Sequence, residues 1–101
     1  MLIISAEFTA KPEKRDDVIA ACKKLIPLSN AEEGCISYEF FEDTQQENHF
    51  FFFERWKDMQ AIEIHMDMPY LKAHGKIFPN LVIDGTTKVE IHEVTDTKRL
   101  V

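Results

Sequence analysis

From the first residue, the chain alternates between apolar and polar faces. Leu2, Ile4, Ala6 and Phe8 fall on one side, the period-two pattern of a strand. Lys11-Pro12-Glu13 then opens a helix, because Pro12 lacks an N–H that the first turn leaves unused and Glu13 meets the positive end of the dipole. Val18, Ala21, Cys22 and Leu25 recur at helical spacing. Pro27 removes a backbone bond inside that pattern, which predicts a kink or break and a short continuation to Glu33, with Gly34 as the stop. Ile36 to Phe41 reads as a strand, Asp43 to Asn48 as a polar hairpin loop, and Phe50 to Trp56 as the returning strand. Asp58 caps a helix whose apolar residues are Met59, Ile62 and Met66, with Ala61 and His65 beside them. Pro69 restarts a helical segment that runs to about Leu81, anchored by Leu71, Phe78 and Leu81. Asp84-Gly85 turns the chain into a last strand, Lys88 to Val94. The order β-α-β-β-α-β predicts an α+β, ferredoxin-like fold with an antiparallel sheet, in one domain spanning residues 1–101.

The run Phe50-Phe51-Phe52-Phe53 adds a constraint. Side chains alternate across a sheet, so two Phe point to each face. Helices cover one face of such a sheet, and the other is normally polar. A second copy of the same sheet is the economical cover, which predicts a face-to-face homodimer. The alternative is that Phe51 and Phe53 pack under the C-terminal segment.

Composition narrows the partners. With 18 acidic and 12 basic residues the formal net charge is −6, so the chain lacks the cationic footprint that nucleic acid or an anionic membrane surface requires. No apolar stretch approaches the ~20 residues of a membrane span, and the short apolar run Met1 to Ser5 has no basic lead-in. The expected location is cytoplasmic. Cys22 and Cys35 sit in no paired motif and read as buried, inert thiols. A neutral, aromatic or cationic small molecule is the expected ligand.

Three stretches carry a resemblance. Glu54-Arg55-Trp56-Lys57-Asp58-Met59-Gln60-Ala61-Ile62-Glu63-Ile64-His65 resembles the signature of the antibiotic-biosynthesis-monooxygenase domain: Glu-x-Trp at a strand end, a capping residue, Ala with a bulky apolar neighbour, then His. Glu32-Glu33-Gly34-Cys35-Ile36-Ser37-Tyr38 and Pro69-Tyr70-Leu71-Lys72-Ala73 match two further recurrent stretches, in the expected order. The resemblance implies a dimeric α/β barrel, two sheets back to back, with a pocket in each subunit between sheet and helices. It does not name the reaction, because similar proteins include quinol monooxygenases, polyketide oxygenases, haem-degrading enzymes and an isomerase of a phosphorylated signal. Where the polyketide oxygenases carry an Asn and a Tyr, this chain has Phe52 and Ile62, here apolar contacts for a substrate. Haem degraders have an Asn where this chain has Phe8, a Trp in place of His65, and a ligating His at the position of Gly75, beside His74. The chain is therefore more similar to the quinol-oxygenase and isomerase branches.

Cofactor-free oxygenation of a hydroquinone needs a base, a donor for the developing oxyanion and a dry aromatic wall, with dioxygen as co-substrate and no metal or flavin. His65 is the candidate base, since histidine titrates near neutrality. Trp56 could stack on a planar ring or donate its indole N–H. Glu54, two residues earlier on the same strand face, could orient His65. Tyr38 and His74 are further donors. His49 and His92 read as loop and surface-strand residues. The four histidines include no i,i+4 pair and there is no Cys-x-x-Cys, so no metal site is expected unless His65 and His74 meet in space. The leading expectation is a cofactor-independent monooxygenase for a quinol or similar electron-rich phenol. The rivals are an isomerase or degrading enzyme for a small signalling metabolite, and a non-catalytic binder of hydrophobic molecules.

Overall fold

A computed structural model of the chain describes residues 1–101. Its elements are β1 (Leu2–Thr9), a 3-10 turn (Pro12–Lys14) leading into α1 (Arg15–Asn30), β2 (Cys35–Glu42), β3 (His49–Trp56), α2 (Met59–Met66), α3 (Pro69–Ile77) with a closing 3-10 turn (Phe78–Asn80), and β4 (Lys88–Glu93). The strands lie in the order β2-β3-β1-β4, and every neighbouring pair is antiparallel. This is the α+β, ferredoxin-like sheet that the element order predicts. No helix is long and apolar enough to cross a membrane.

Period-two patterning sets the inner face. Pairing of β1 with β3 places Phe8 opposite Phe50, Ala6 opposite Phe52, Ile4 opposite Glu54 and Leu2 opposite Trp56, and the β3 member of each pair is buried. The rings interlock: Phe8 meets Phe78 edge-on with centroids 4.7 Å apart, and Phe40 meets Phe52 at 4.8 Å. Helix α1 closes this face with Val18, Cys22, Leu25 and Ser29, one stripe at helical spacing. Both cysteines are free. Burial pushes the Cys22 thiol up to about 12 and, with help from Glu54 and Glu32, the Cys35 thiol up to about 11, so neither is a thiolate near neutrality.

Several local expectations are corrected. Helix α1 runs through Pro27 to Asn30 without a break. Proline costs it one bond, and the carbonyl left over belongs to Lys23, an exposed residue whose surroundings are aqueous. Gly34 does not end the helix, nor does it hold a left-handed conformation, since Gly85 is the glycine with positive φ. Gly34 is required for closeness: a Cβ there would lie 2.3 Å from the Ala61 Cβ. In α2 the buried stripe is Ala61, Ile62 and His65, whereas Met59 and Met66 are exposed. The Asp58 cap is as expected, its carboxylate accepting the Ala61 N–H at 2.9 Å. His49 is a buried strand residue rather than a loop residue, with Nδ1 2.8 Å from Thr9 Oγ1 and Nε2 3.1 Å from Glu7. His92 is exposed on β4, as expected.

The other sheet face carries Phe51 and Phe53, half-buried, and Phe41, which pairs with Phe51 and is 49 % exposed. Arg55 lies over Phe53, its guanidinium carbon 4.6 Å from the ring centroid, and donates to Ser37 Oγ at 2.9 Å. Of the C-terminal segment that the alternative would lay over these rings, the last residues, Leu100 and Val101, are 97 % and 103 % exposed.

Candidate active site

Helices α2 and α3 are short, and they leave the inner face of β4 bare, with Val89 61 % and Ile91 47 % exposed. Between these helices, α1 and the sheet lies a cavity of about 250 Å³. Its walls are mostly apolar, among them Phe8, Phe52, Leu71, Phe78 and Val89. Tyr38, Glu54, His65 and His74 are its groups able to exchange a proton, and no Lys or Arg lines it. The volume lies just below the ~300–1,000 Å³ of drug-sized sites and suits a molecule of one or two rings.

His65 enters from α2 because it lies one helical turn beyond Ala61 and Ile62, on the stripe that faces the sheet, and it is 2 % exposed. Its Nδ1 lies 2.7 Å from Glu32 Oε2, and the Glu32 side chain is itself buried. Tyr70 donates its hydroxyl proton to the same Glu32 oxygen and lies 3.0 Å from Ser29 Oγ. A carboxylate oxygen that takes the Tyr70 proton is an acceptor, so the geometry assigns a proton to His65 Nδ1, and in the neutral ring the lone pair then falls on Nε2. Nε2 has no protein partner and is not sealed from solvent, and the ring lines the cavity. The result is an imidazole held by a buried carboxylate on the wall of an apolar space, an arrangement that can serve a general base. Glu32 Oε1 has no partner at all.

Glu54 lies on β3 beside this pair. Its Oε1 accepts the Trp56 indole N–H at 3.0 Å. Burial pushes its carboxyl up to about 7; the Trp56 hydrogen bond opposes that shift and the Glu32 charge adds to it. Trp56 stacks obliquely on His65, ring centroids 4.4 Å apart. Burial also raises the Tyr38 phenol far above its usual range and lowers His74.

The expected site residues divide accordingly. His65, Glu54, Tyr38, Phe52 and His74 share the cavity. Trp56 and Ile62 do not line it: both are core residues, and the indole N–H of Trp56 is already taken by Glu54. Glu54 does not orient His65 as expected, because its one side-chain bond goes to Trp56; Glu32 occupies that role. His65 and His74 line the same cavity, yet no three of the His, Cys, Asp and Glu side chains converge as metal ligands would. Sequence reading missed Glu32 and Tyr70 as members of the site. Both stood in family-like stretches, but their contact with His65 spans 33 and 5 residues respectively, and no periodicity marks it.

Comparison with known proteins gives this geometry a context. Residues 1–76 match the profile described as antibiotic biosynthesis monooxygenase. The chain is 32% identical over 96 residues to "Putative monooxygenase YcnE" of Bacillus subtilis, covering 92% of this chain and 100% of that one. It is 31% identical over 99 residues to "Uncharacterized protein sll1783" of Synechocystis, covering 98% of this chain and 67% of the relative. Among solved structures it is similar in fold to a Deinococcus radiodurans protein described as a putative antibiotic biosynthesis monooxygenase, with a TM-score of 0.92 at 22% identity, covering 100% of this chain and 99% of that one. Rv0793 of Mycobacterium tuberculosis superposes with a TM-score of 0.89 at 22% identity, covering 97% and 98%.

Proposed function

The chain belongs to the antibiotic biosynthesis monooxygenase family, and from that premise we propose that its cavity takes a small, neutral quinol or similar electron-rich phenol and oxidises it with dioxygen, the substrate itself supplying the electrons. The observation that carries this reading is His65: Nδ1 tied to buried Glu32, Nε2 without a protein partner, and the ring lining an apolar cavity.

His65 Nε2 removes a hydroxyl proton from the quinol, and the Glu32 carboxylate balances the imidazolium that results. The phenolate passes one electron to dioxygen, and the radical pair combines to form a C–O bond. Cleavage of the O–O bond leaves one oxygen atom on the ring as a hydroxylated quinone and releases the other as water. Dioxygen takes up four electrons in all, two from oxidising quinol to quinone and two from hydroxylating the ring. The aromatic walls keep bulk water from the phenolate and the intermediate. The absence of any Lys or Arg on the lining weighs against an anionic substrate such as a phosphorylated metabolite.

The test is oxygen uptake with a naphthohydroquinone. Uptake well above autoxidation, with a hydroxylated quinone as product, is expected; uptake equal to that of buffer would remove the oxygenase reading.

The second part of the proposal is a homodimer built on the outer sheet face. Phe41, Phe51 and Phe53 there are only partly covered within the chain, and an identical face offers the rest. Light scattering coupled to sizing should give twice the mass of one chain for the parent protein, and monomer or aggregate for Phe51→Asp. A parent protein that elutes as a monomer at micromolar concentration defeats the dimer.

A further inference from the structure

Glu54 has two oxygens in different surroundings. Oε1 holds the indole N–H of fully buried Trp56. Oε2 has no protein partner, and the residue lines the cavity. The groups facing Glu54 are accounted for on each side. Ile4 of β1 and Tyr38 of β2 pair with it across the sheet. His65 and His74 share the cavity from α2 and α3, Glu32 stands behind His65, and Cys35 is close enough for the Glu54 charge to act on its thiol. None of these is a fixed cation. Of the two imidazoles there, His65 is held by Glu32 at 2.7 Å and makes no bond to Glu54, and burial disfavours the cationic form of His74. With His65 committed to Glu32, an ionised Glu54 would be a second negative charge buried beside the first, with no cation of its own.

We propose that Glu54 is protonated in the resting protein and that its free oxygen carries the hydrogen-bond donor for an oxygen of the bound substrate. This rests on the cavity being the quinol site. The proton stays on Glu54, while His65 Nε2 takes the proton that the substrate gives up. A base and a neutral carboxyl donor thus act on two oxygens of one ring. The donor stabilises negative charge developing on the oxygen it holds, as a carboxyl kept neutral by an apolar site can.

Burial works in the required direction, raising the carboxyl to about 7. A folded-state value above the unfolded one means that the folded chain holds the proton more tightly. That contribution to stability is complete below the unfolded value and is lost as pH rises through about 7. Melting temperature should therefore fall between pH 5 and 8 in the parent chain and stay flatter in Glu54→Gln.

The decisive ligand is α-tetralone, a two-ring ketone whose oxygen only accepts and which needs no turnover to be read. Quenching of the single tryptophan, Trp56, reports its binding. The parent protein should bind it roughly 10-fold more tightly at pH 6 than at pH 8. Glu54→Gln, whose amide oxygen keeps the Trp56 bond and whose NH₂ donates in place of the acid, should bind it equally at both. Glu54→Leu should bind about 10-fold more weakly than the parent at pH 6. Infrared spectra should show a protonated-carboxyl C=O band that Glu54→Gln removes. Absence of that band, or a Gln variant that loses affinity as Leu does, overturns the proposal. If the tetralone pattern holds while no quinol consumes oxygen, the substrate reading fails and the donor role of Glu54 stands.

Discussion

Replacing His65 with alanine is expected to lower the turnover of a quinol by roughly 10²-fold or more, with far-ultraviolet circular dichroism still that of a folded chain. The effect follows from geometry. The imidazole lines the cavity, and its Nδ1 is fixed by Glu32. No second group in the cavity offers a free basic nitrogen in the same arrangement, since His74 stacks on Phe78 with ring centroids 5.2 Å apart and burial lowers its basicity. The substitution also costs stability, because Glu32 then keeps Tyr70 as its only strong donor while Oε1 is already unpartnered. The assay therefore belongs well below the melting temperature of the variant. Turnover equal to that of the parent at that temperature would take His65 out of the mechanism.

Gly34→Ala is expected to destabilise the fold by about 1–3 kcal/mol, at the upper end of that range, read as a lower urea midpoint with little change in slope. The added methyl would overlap the Ala61 Cβ, a short side chain with no rotamer to escape into, and the Ala61 Cα lies 3.3 Å away. Neither partner moves freely. The Gly34 carbonyl accepts the Lys57 N–H at 3.0 Å, tying it to the end of β3, and Ala61 is pinned by the Asp58 cap. Because Glu32 lies two residues before Gly34, the shift also disturbs the carboxylate that holds His65. A compensating Ala61→Gly change should recover part of the loss, less about 1 kcal/mol for glycine inside a helix. If the single variant unfolds at the parent midpoint, the close approach does not exist.

The fold was legible in the sequence because its signals are local. Period-two runs mark β1 and β3, Asp58 marks a helix start, and Asp84-Gly85 marks a turn that Gly85 does make with a positive φ. Two local readings failed where tertiary context outweighed propensity. Pro27 is tolerated because the orphaned carbonyl lies on an exposed residue, and Gly34 serves packing rather than chain termination. Of the candidate site residues, His65, Glu54, Tyr38, Phe52 and His74 line the cavity, and their residue types or the resemblance pointed to them. Glu32 and Tyr70 were not found, since which carboxylate meets an imidazole depends on how the turn after α1 packs against α2 and α3 rather than on spacing along the chain. Trp56 and Ile62 erred in the opposite sense: large apolar residues near a site serve the core as readily as the pocket.

The bare inner face of β4 has a consequence for the proposed substrate site. The proton-handling pair and Glu54 all lie within residues 1–76, the stretch that matches the family profile, whereas Phe78, Thr87 and Val89 of the wall lie beyond it. Part of the wall thus lies outside the length of chain that carries the proposed proton-handling groups. Under the proposed function, substitutions at Phe78, Thr87 or Val89 would reshape that part of the wall and leave the His65–Glu32 contact in place.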